Sequence, residues 1–130
     1  MNLSEFRFDH YYTYDELVEF LKSASQEHPR LTMLESIGKS GEGRDIYAFT
    51  ITDKDSGEAK SKPAIYIDGN FHAGEVTGSM INLYAIKHIL ANYGTDEKIT
   101  KLLKENTLYV IPRVSPDGAE VYLTTPETLR

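Results

Sequence analysis

His72 and Glu75 are the residues of this chain whose types and spacing could do chemistry. They stand three positions apart in the stretch I-D-G-N-F-H-A-G-E, directly after a short apolar run. Zinc accepts both imidazole nitrogen and carboxylate oxygen, and this separation lets the two side chains converge as the chain turns into a helix. Gly74 leaves room between them. The pattern predicts a metal-binding pair, although H-x-x-E is common and a histidine that merely caps the helix is the alternative.

The other histidines offer no comparable arrangement. His10 lies among tyrosines, where packing on an aromatic surface is expected, and His28 follows a helix whose negative end suits a cation. His88 falls in the middle of a helical pattern and is expected at the core edge or the surface. Arg113 could approach a substrate carboxylate, but the many acidic residues favour an ion pair with one of them.

The elements that position this pair begin with a helix and a hairpin. The stretch T-Y-D-E at residues 13–16 is typical of a capping box, so we predict a helix that continues to about Gln26. Residues 31–37 and 45–51 are strand-like and flank the glycine-rich segment G-K-S-G-E-G-R. This arrangement predicts an antiparallel hairpin with a long turn.

The second half of the chain is predicted to alternate strands and helices. Residues 64–67 form a short, nearly all-apolar strand, which is typical of a buried central strand. A helix over residues 75–93 is apolar on more than one face and is therefore expected to be well buried, with Gly94 as its stop. Thr95 is expected to cap a shorter helix, and residues 107–114 to form the fourth strand.

The tail begins with a turn that includes Asp117 and Gly118 and shows no clear periodicity. Strand–helix–strand units favour parallel pairing, and here they follow an antiparallel hairpin. We therefore predict one α/β domain with a mixed parallel and antiparallel sheet flanked by helices. His72 and Glu75 follow the third strand, at the carboxyl end where such sheets bind ligands.

Composition limits the classes of function. The 130 residues carry a net charge of −6 with scattered basic residues, which gives no electrostatic support for nucleic-acid binding. There is no cysteine, so disulfides and thiolate metal sites are excluded. No stretch approaches the roughly 20 apolar residues of a membrane span, and no signal-peptide pattern is present. We expect a cytoplasmic protein if Met1 is native, and a secreted or periplasmic one if a signal peptide has been removed.

Several stretches together resemble the M14 zinc carboxypeptidases, the carboxypeptidase A type. They are I-D-G-N-F-H-A-G-E, P-R-V-S-P-D-G, I-G-K-S-G-E-G-R-D-I-Y and T-Y-D-E-L, and their order along nearly the whole chain is that of the family. The resemblance implies an incomplete zinc-carboxypeptidase-like fold in which His72 and Glu75 are the first two zinc ligands. It also implies a peptide or protein C-terminus as substrate, and hydrolysis of the C-terminal peptide bond by metal-activated water.

The resemblance further implies that essential groups lie outside these residues. The family's third ligand (a histidine), its catalytic glutamate and its substrate-binding tyrosine and arginines occur farther along than this chain extends. We therefore expect residues 1–130 to be the N-terminal part of a single, truncated catalytic domain, with no catalytic residue of its own and no activity alone. Because zinc sites usually have three or four protein ligands, a site with two predicts weak zinc binding. Truncation would also leave sheet edges unpaired, which predicts self-association.

Two positions depart from the family pattern, and the place of a third in that pattern is unassigned. Gly74 stands where pancreatic-type enzymes carry an arginine that contacts substrate, and Ser115 stands where asparagine usually precedes P-D-G. Arg130 falls in a region where the family supplies a functional arginine, and its register is left unassigned. Two other functions stay open: a non-catalytic binding module on the same scaffold, and an aspartoacylase-like deacylase, against which the P-D-G segment and the hairpin argue.

Overall fold

The computed structural model describes residues 1–126, whose strands form one four-stranded sheet in the order β1-β2-β4-β3. The strands are β1 (Thr32–Lys39), β2 (Asp45–Ile51), β3 (Ala64–Asp68) and β4 (Thr107–Ile111). Pairs β1–β2 and β2–β4 are antiparallel, whereas β3–β4 is parallel. The helices that flank the sheet are α1 (Tyr14–Glu27), α2 (Val76–Asn92), α3 (Glu97–Glu105) and α4 (Pro116–Thr124). The predicted α/β class with a mixed sheet is confirmed.

Helix α1 begins at the predicted capping box. Glu16 N donates to Thr13 Oγ1 (3.4 Å), and Thr13 N donates to Glu16 Oε1 (3.1 Å). The buried face of the helix packs against the aromatic segment that precedes it, where the Phe6 and Phe8 rings meet Phe20 edge-on at 5.2 and 6.1 Å. The residues ahead of the helix are therefore part of the core, which the sequence reading did not anticipate.

Strands β1 and β2 form the predicted hairpin. Its turn closes with a hydrogen bond from Ser40 N to Arg44 O (2.8 Å), and Gly43 adopts φ of 83°, which favours glycine. A register shift between Ser36 and Gly38 bends β1 shortly before the turn. The glycine-rich segment is thus a structural turn.

Strand β3 exists where it was predicted, but the expectation that it is a buried central strand is wrong for the described residues. It lies at the edge of the sheet, and Ile65 and Ile67 are 43% and 37% exposed. A short, continuously apolar run is typical of a strand whose two faces are both covered. Within residues 1–126, β3 pairs with β4 on one side, and all of its residues are exposed.

We expect the unpaired edge of β3 to support self-association. Its backbone groups face outward, and no proline or charged residue interrupts the strand before Asp68. A lysine in place of Tyr66, which is 61% exposed, should therefore weaken association without loss of fold. Sedimentation velocity across a concentration series measures this, with Tyr11→Lys as the control because Tyr11 is 53% exposed and lies outside the sheet. A wild-type chain that stays monomeric at every concentration would contradict the expectation.

Helix α2 has one buried and one exposed face. Its buried apolar residues are Val76, Met80, Leu83, Ile86 and Leu90. On the other side, Ile81 and Tyr84 are 62% and 58% exposed. The expectation that this helix is well buried is therefore wrong in part, because the apolar pattern is wider than the surface that residues 1–126 cover.

The link between α2 and α3 differs from the prediction in its cap. Gly94 follows α2 with φ of 92°, as expected of a stop. Helix α3 is capped by Asp96, whose Oδ1 accepts hydrogen bonds from Lys98 N (2.9 Å) and Ile99 N (3.1 Å). Thr95 instead donates its hydroxyl to Asn92 O (3.2 Å). An aspartate and a threonine are both good caps, so neighbouring candidates are hard to separate by residue type.

The fourth strand ends at Ile111 rather than at Val114, and a helix follows it. Residues 112–115 leave the sheet, and α4 then begins at Pro116, where proline suits the first helical position. Asp117 and Gly118, predicted to lie in a turn, belong to the first turn of this helix. A helix this short shows too few repeats for its periodicity to be recognised.

The core lies between the sheet and helices α1, α2 and α3. Its largest fully buried apolar side chains are Tyr12, Phe20, Leu21, Phe49, Ile51, Leu83, Ile86 and Leu103. No helix within residues 1–126 combines the length and the apolar character that crossing a bilayer requires.

Candidate metal centre

His72 and Glu75 lie on the segment that joins β3 to α2, residues 69–75, called here the His72 loop. Its first residues continue the pairing of β3 with β4 beyond the strands. Gly69 N donates to Ile111 O (3.1 Å), Val114 N to Gly69 O (3.0 Å) and Ser115 N to Asn70 O (3.1 Å). The loop therefore starts from a fixed backbone at the carboxyl end of the two parallel strands.

Asn70 shapes the turn of the loop. It is buried, adopts φ of 57°, and donates through Nδ2 to His72 O (2.8 Å) and Ala73 O (3.2 Å). Asparagine tolerates this left-handed conformation because its short side chain can bond the backbone nearby. The D-G-N signal suggested a sharp exit from the strand. It did not indicate that Asn70 binds the carbonyl of His72.

The loop packs tightly on the first turns of α2. A Cβ atom added to Gly69 would lie 2.5 Å from Asn82 Nδ2 and 2.9 Å from Gly78 O. Gly78 is also close, because its own Cβ would lie 3.3 Å from Asn70 N. Two glycines therefore allow the backbone of the loop to approach the helix more closely than other residues would.

The start of α4 holds the loop from the other side. Ser115 Oγ donates to Phe71 O (2.5 Å), and a Cβ on Gly118 would lie 2.4 Å from Ala73 Cβ. Ser115, interpreted from sequence as a turn variant, thus bonds the loop directly. The backbone on both sides of His72 is consequently fixed by α4.

His72 and Glu75 are in direct contact, with His72 Nδ1 against Glu75 Oε2. Their side chains are 40% and 64% exposed, so both are accessible from solvent. Glu75 N donates to His72 O (3.1 Å), and Glu75 is the residue from which α2 starts. The exposed Phe71 ring meets the imidazole edge-on at 5.3 Å. A ring nitrogen and a carboxylate oxygen, two ligand types that zinc accepts, therefore lie side by side.

The pair has no third partner within residues 1–126. No cluster of three or more histidine, aspartate or glutamate side chains that could hold a metal occurs there. His10 lies elsewhere, with its ring nitrogens 2.8 Å from an Asp9 oxygen and 2.6 Å from a Glu16 oxygen. These hydrogen bonds raise the pKa of His10, and the bond to Glu16 has the larger effect. His28 ends α1, and His88 lies exposed on α2. Zinc sites with a catalytic role use three protein ligands, so the two side chains alone would not complete such a site.

Arg113 is buried, and the expected ion pair with an acidic residue is absent from residues 1–126. The side chain is 3% exposed, and Nη2 donates to Ser79 Oγ (2.8 Å). Nε and Nη1 have no hydrogen-bond partner among the described residues. Burial lowers the pKa of Arg113 to about 10, against the opposing influence of Glu120 and Glu16. Arg130, the other arginine considered from sequence, lies outside the described residues.

Comparison with known proteins gives a consistent result. A family model for zinc carboxypeptidases, Peptidase_M14, matches residues 17–130. Carboxypeptidase D of Mus musculus is 32% identical over 111 residues, 85% of this chain and 8% of that protein. A zinc carboxypeptidase of Saccharothrix mutabilis subsp. capreolus is 31% identical over 115 residues, 88% of this chain and 26% of that protein.

Solved structures agree in fold. The crystal structure of carboxypeptidase A from Helicoverpa armigera superposes with a TM-score of 0.80 at 27% identity, over 95% of this chain and 29% of that one. The sheet and helices described above are thus those of a carboxypeptidase fold. The chain spans 8% of the mouse relative and 26% of the bacterial one.

Proposed function

The chain belongs to the zinc carboxypeptidase family of metal-dependent hydrolases, and from that membership we propose that it supplies two metal ligands to an enzyme that cleaves peptides at their C-termini. The ligands are His72 through Nδ1 and Glu75 through its carboxylate. The observation that carries the proposal is the direct contact of these two atoms at the carboxyl end of β3. A helix cap would not require a carboxylate against the imidazole.

The roles of the chain's own residues follow from this geometry. Zinc, when bound, supplies a water of lowered pKa and polarises the scissile carbonyl. His72 and Glu75 would hold the zinc ion, while Asn70 and Ser115 fix the backbone on either side of His72. Gly74 leaves the space beside the pair free of a side chain.

The third ligand and the general base are proposed to come from residues beyond those described. The family match covers residues 17–130, and no third metal-binding side chain joins the pair within residues 1–126. On this proposal, residues 1–130 are the N-terminal part of one catalytic domain and are inactive alone. Zinc-dependent release of the last residue from a free peptide, but not from its C-terminally blocked form, by this chain would overturn that part of the proposal.

Zinc titration by calorimetry tests the ligand pair. Because two side-chain ligands rarely hold zinc tightly, we expect a Kd weaker than about 1 μM for this chain. His72→Ala and Glu75→Ala should each abolish the binding. His88→Ala is the matched control, since His88 is exposed on α2, where its ring bonds Asn92 and stacks on Tyr84 in the same helix.

Two results would count against the pair. Binding that survives both ligand variants would place the zinc elsewhere on the chain. A submicromolar affinity would mean that further ligands are already present. The alternative of a non-catalytic module shares the scaffold, and it is favoured over the enzyme if a longer chain binds zinc through His72 and Glu75 yet hydrolyses no peptide. The family match is to carboxypeptidases, so the deacylase alternative has no observation in its favour.

A further inference from the structure

Asp117 makes an unusually complete set of contacts for a surface carboxylate. Its Oδ1 accepts hydrogen bonds from Ser40 Oγ (2.7 Å) and Arg44 Nη1 (2.8 Å), and its Oδ2 accepts one from Glu42 N (3.0 Å). All three donors belong to the turn of the β1–β2 hairpin, residues 40–44. This group of contacts, called here the Asp117 clamp, joins the hairpin turn to the first turn of α4.

The turn is built to present these donors together. Ser40 Oγ, while donating to Asp117, accepts a hydrogen bond from Arg44 N (3.0 Å). Ser40 N donates to Arg44 O (2.8 Å), and Gly43 N to Ser40 O (3.0 Å). The hydroxyl, the guanidinium and the amide of Glu42 are therefore fixed relative to one another before they meet the carboxylate. This gives the glycine-rich segment of the sequence a specific partner.

The helix that receives the clamp is the one that holds the His72 loop. Asp117 lies between Ser115, whose hydroxyl donates to Phe71 O, and Gly118, whose backbone packs on Ala73. Phe71 and Ala73 are the immediate neighbours of His72. A continuous set of contacts therefore runs from the hairpin turn through Asp117 and the start of α4 to both sides of the histidine.

The contacts of Asp117 differ from those of an ordinary surface ion pair. Exposed pairs contribute little to stability and tolerate loss of either partner. Here the side chains of Asp117 and Arg44 are 23% and 29% exposed, and one of the hydrogen bonds comes from a backbone amide. Burial alone would raise the pKa of Asp117, but the hydrogen bonds from Ser40 and Arg44 outweigh it and hold the pKa below its usual value. The carboxylate is therefore ionised throughout the neutral range.

We propose that Asp117 is a positioning residue for the candidate metal centre: by anchoring the hairpin turn to α4, it holds Ser115 and Gly118 against the His72 loop and so sets the position of His72. The proposal rests on the proposed role of His72 and Glu75. It assigns a task to the hairpin turn, which lies far from His72 in the sequence. Asp117 does not touch the metal pair itself.

The test compares Asp117→Ala with Asp45→Ala. Asp45 is the matched control because it also pairs with a hairpin lysine (Lys39, 2.9 Å) and a serine hydroxyl (Ser36, 2.7 Å), but has no contact of its side chain with α4. In zinc-free protein, the amide resonances of Phe71, His72 and Ala73 are followed by NMR. We expect them to shift in Asp117→Ala and to stay unchanged in Asp45→Ala.

Zinc affinity gives the second readout. Loss of a group hydrogen-bonded directly to a metal ligand typically weakens metal binding by 10- to 100-fold. Because Asp117 acts through Ser115 and Gly118, we expect the lower end of this range, about a tenfold weaker Kd for Asp117→Ala, and less than about a twofold change for Asp45→Ala. If Asp117→Ala does not fold, Arg44→Ala is used, because it removes one of the clamp contacts and leaves Ser40 and the Glu42 amide bonded. Its shifts and its loss of affinity should be smaller but of the same kind.

The outcomes separate this proposal from the function on which it rests. A variant that is less stable than wild type, yet has unchanged resonances at residues 71–73 and unchanged zinc affinity, would show that Asp117 only stabilises the fold. If wild-type protein binds no zinc, the proposed ligand pair fails in this chain, and the zinc-free spectra alone decide whether the clamp positions His72. Equal effects of Asp117→Ala and Asp45→Ala would also overturn the proposal.

Discussion

Replacing Gly69 by alanine is expected to cost about 3 kcal/mol of stability, at the upper end of the range for overpacked sites. The new methyl group would lie 2.9 Å from Gly78 O and 2.5 Å from Asn82 Nδ2. The Asn82 side chain can move away, but the Gly78 carbonyl is part of helix α2 and cannot. The His72 loop would have to separate from the helix, and the hydrogen bonds of Gly69 with Ile111 and Val114 would be strained with it.

Urea unfolding followed by far-ultraviolet circular dichroism measures this change. Gly38→Ala is the matched control, since it makes the same substitution at a site with no atom within 4 Å of the added Cβ. We expect it to change the free energy of unfolding by less than about 0.5 kcal/mol. A Gly69→Ala protein that unfolds at the wild-type urea concentration would show that the loop does not depend on its close approach to α2.

Ile86→Ala is expected to destabilise the protein by about 2–5 kcal/mol, whereas Ile81→Ala on the same helix should have almost no effect. Ile86 is 1% exposed and belongs to the core, so its truncation removes buried methyl groups and leaves a cavity. Ile81 is 62% exposed, so its truncation removes surface that water already reaches. Both changes make the same chemical deletion in α2, and the difference between them isolates burial.

The same urea measurement decides the outcome. Equal losses for the two variants would mean that the exposed face of α2 is covered in solution, for example by a second copy of the chain. In that case, the loss for Ile81→Ala should depend on protein concentration, because stability supplied by a partner follows mass action. A small loss for Ile86→Ala would instead contradict the described core.

Much of the fold could be predicted because its signals are local. The capping box at Thr13, the glycine-rich turn and the stop at Gly94 each act within a few residues, and the structure confirms all three. The caps of α3 and the short helix α4 were harder, since Thr95 and Asp96 are equally good capping residues and α4 is too short to show a period. The resemblance to zinc carboxypeptidases identified the family, which the family match to residues 17–130 confirmed.

Burial was the weaker part of the prediction, for a physical reason. Isoleucine is usually buried, yet Ile65, Ile67 and Ile81 are exposed. The residue type shows that a side chain favours burial, but not whether another part of the protein covers it. For Arg113 the expectation was wrong in the opposite sense. The many acidic residues of the chain favour an ion pair for this arginine, whereas the fold buries it against Ser79. Contacts that join distant segments, such as that of Asp117 with the hairpin turn, could not be derived from spacing.

The two ways in which the sheet is paired imply an order of assembly. The hairpin closes across residues 40–44, whereas pairing of Ala64 with Thr107 requires the whole crossover through α2 and α3 to close. Because closure entropy grows with the logarithm of loop length, the crossover costs about 2 kcal/mol more to close than the hairpin. The hairpin turn can therefore form early and locally, while the His72 loop becomes fixed only when distant strands meet. We therefore expect the contact of His72 with Glu75 to be among the last features to form during folding.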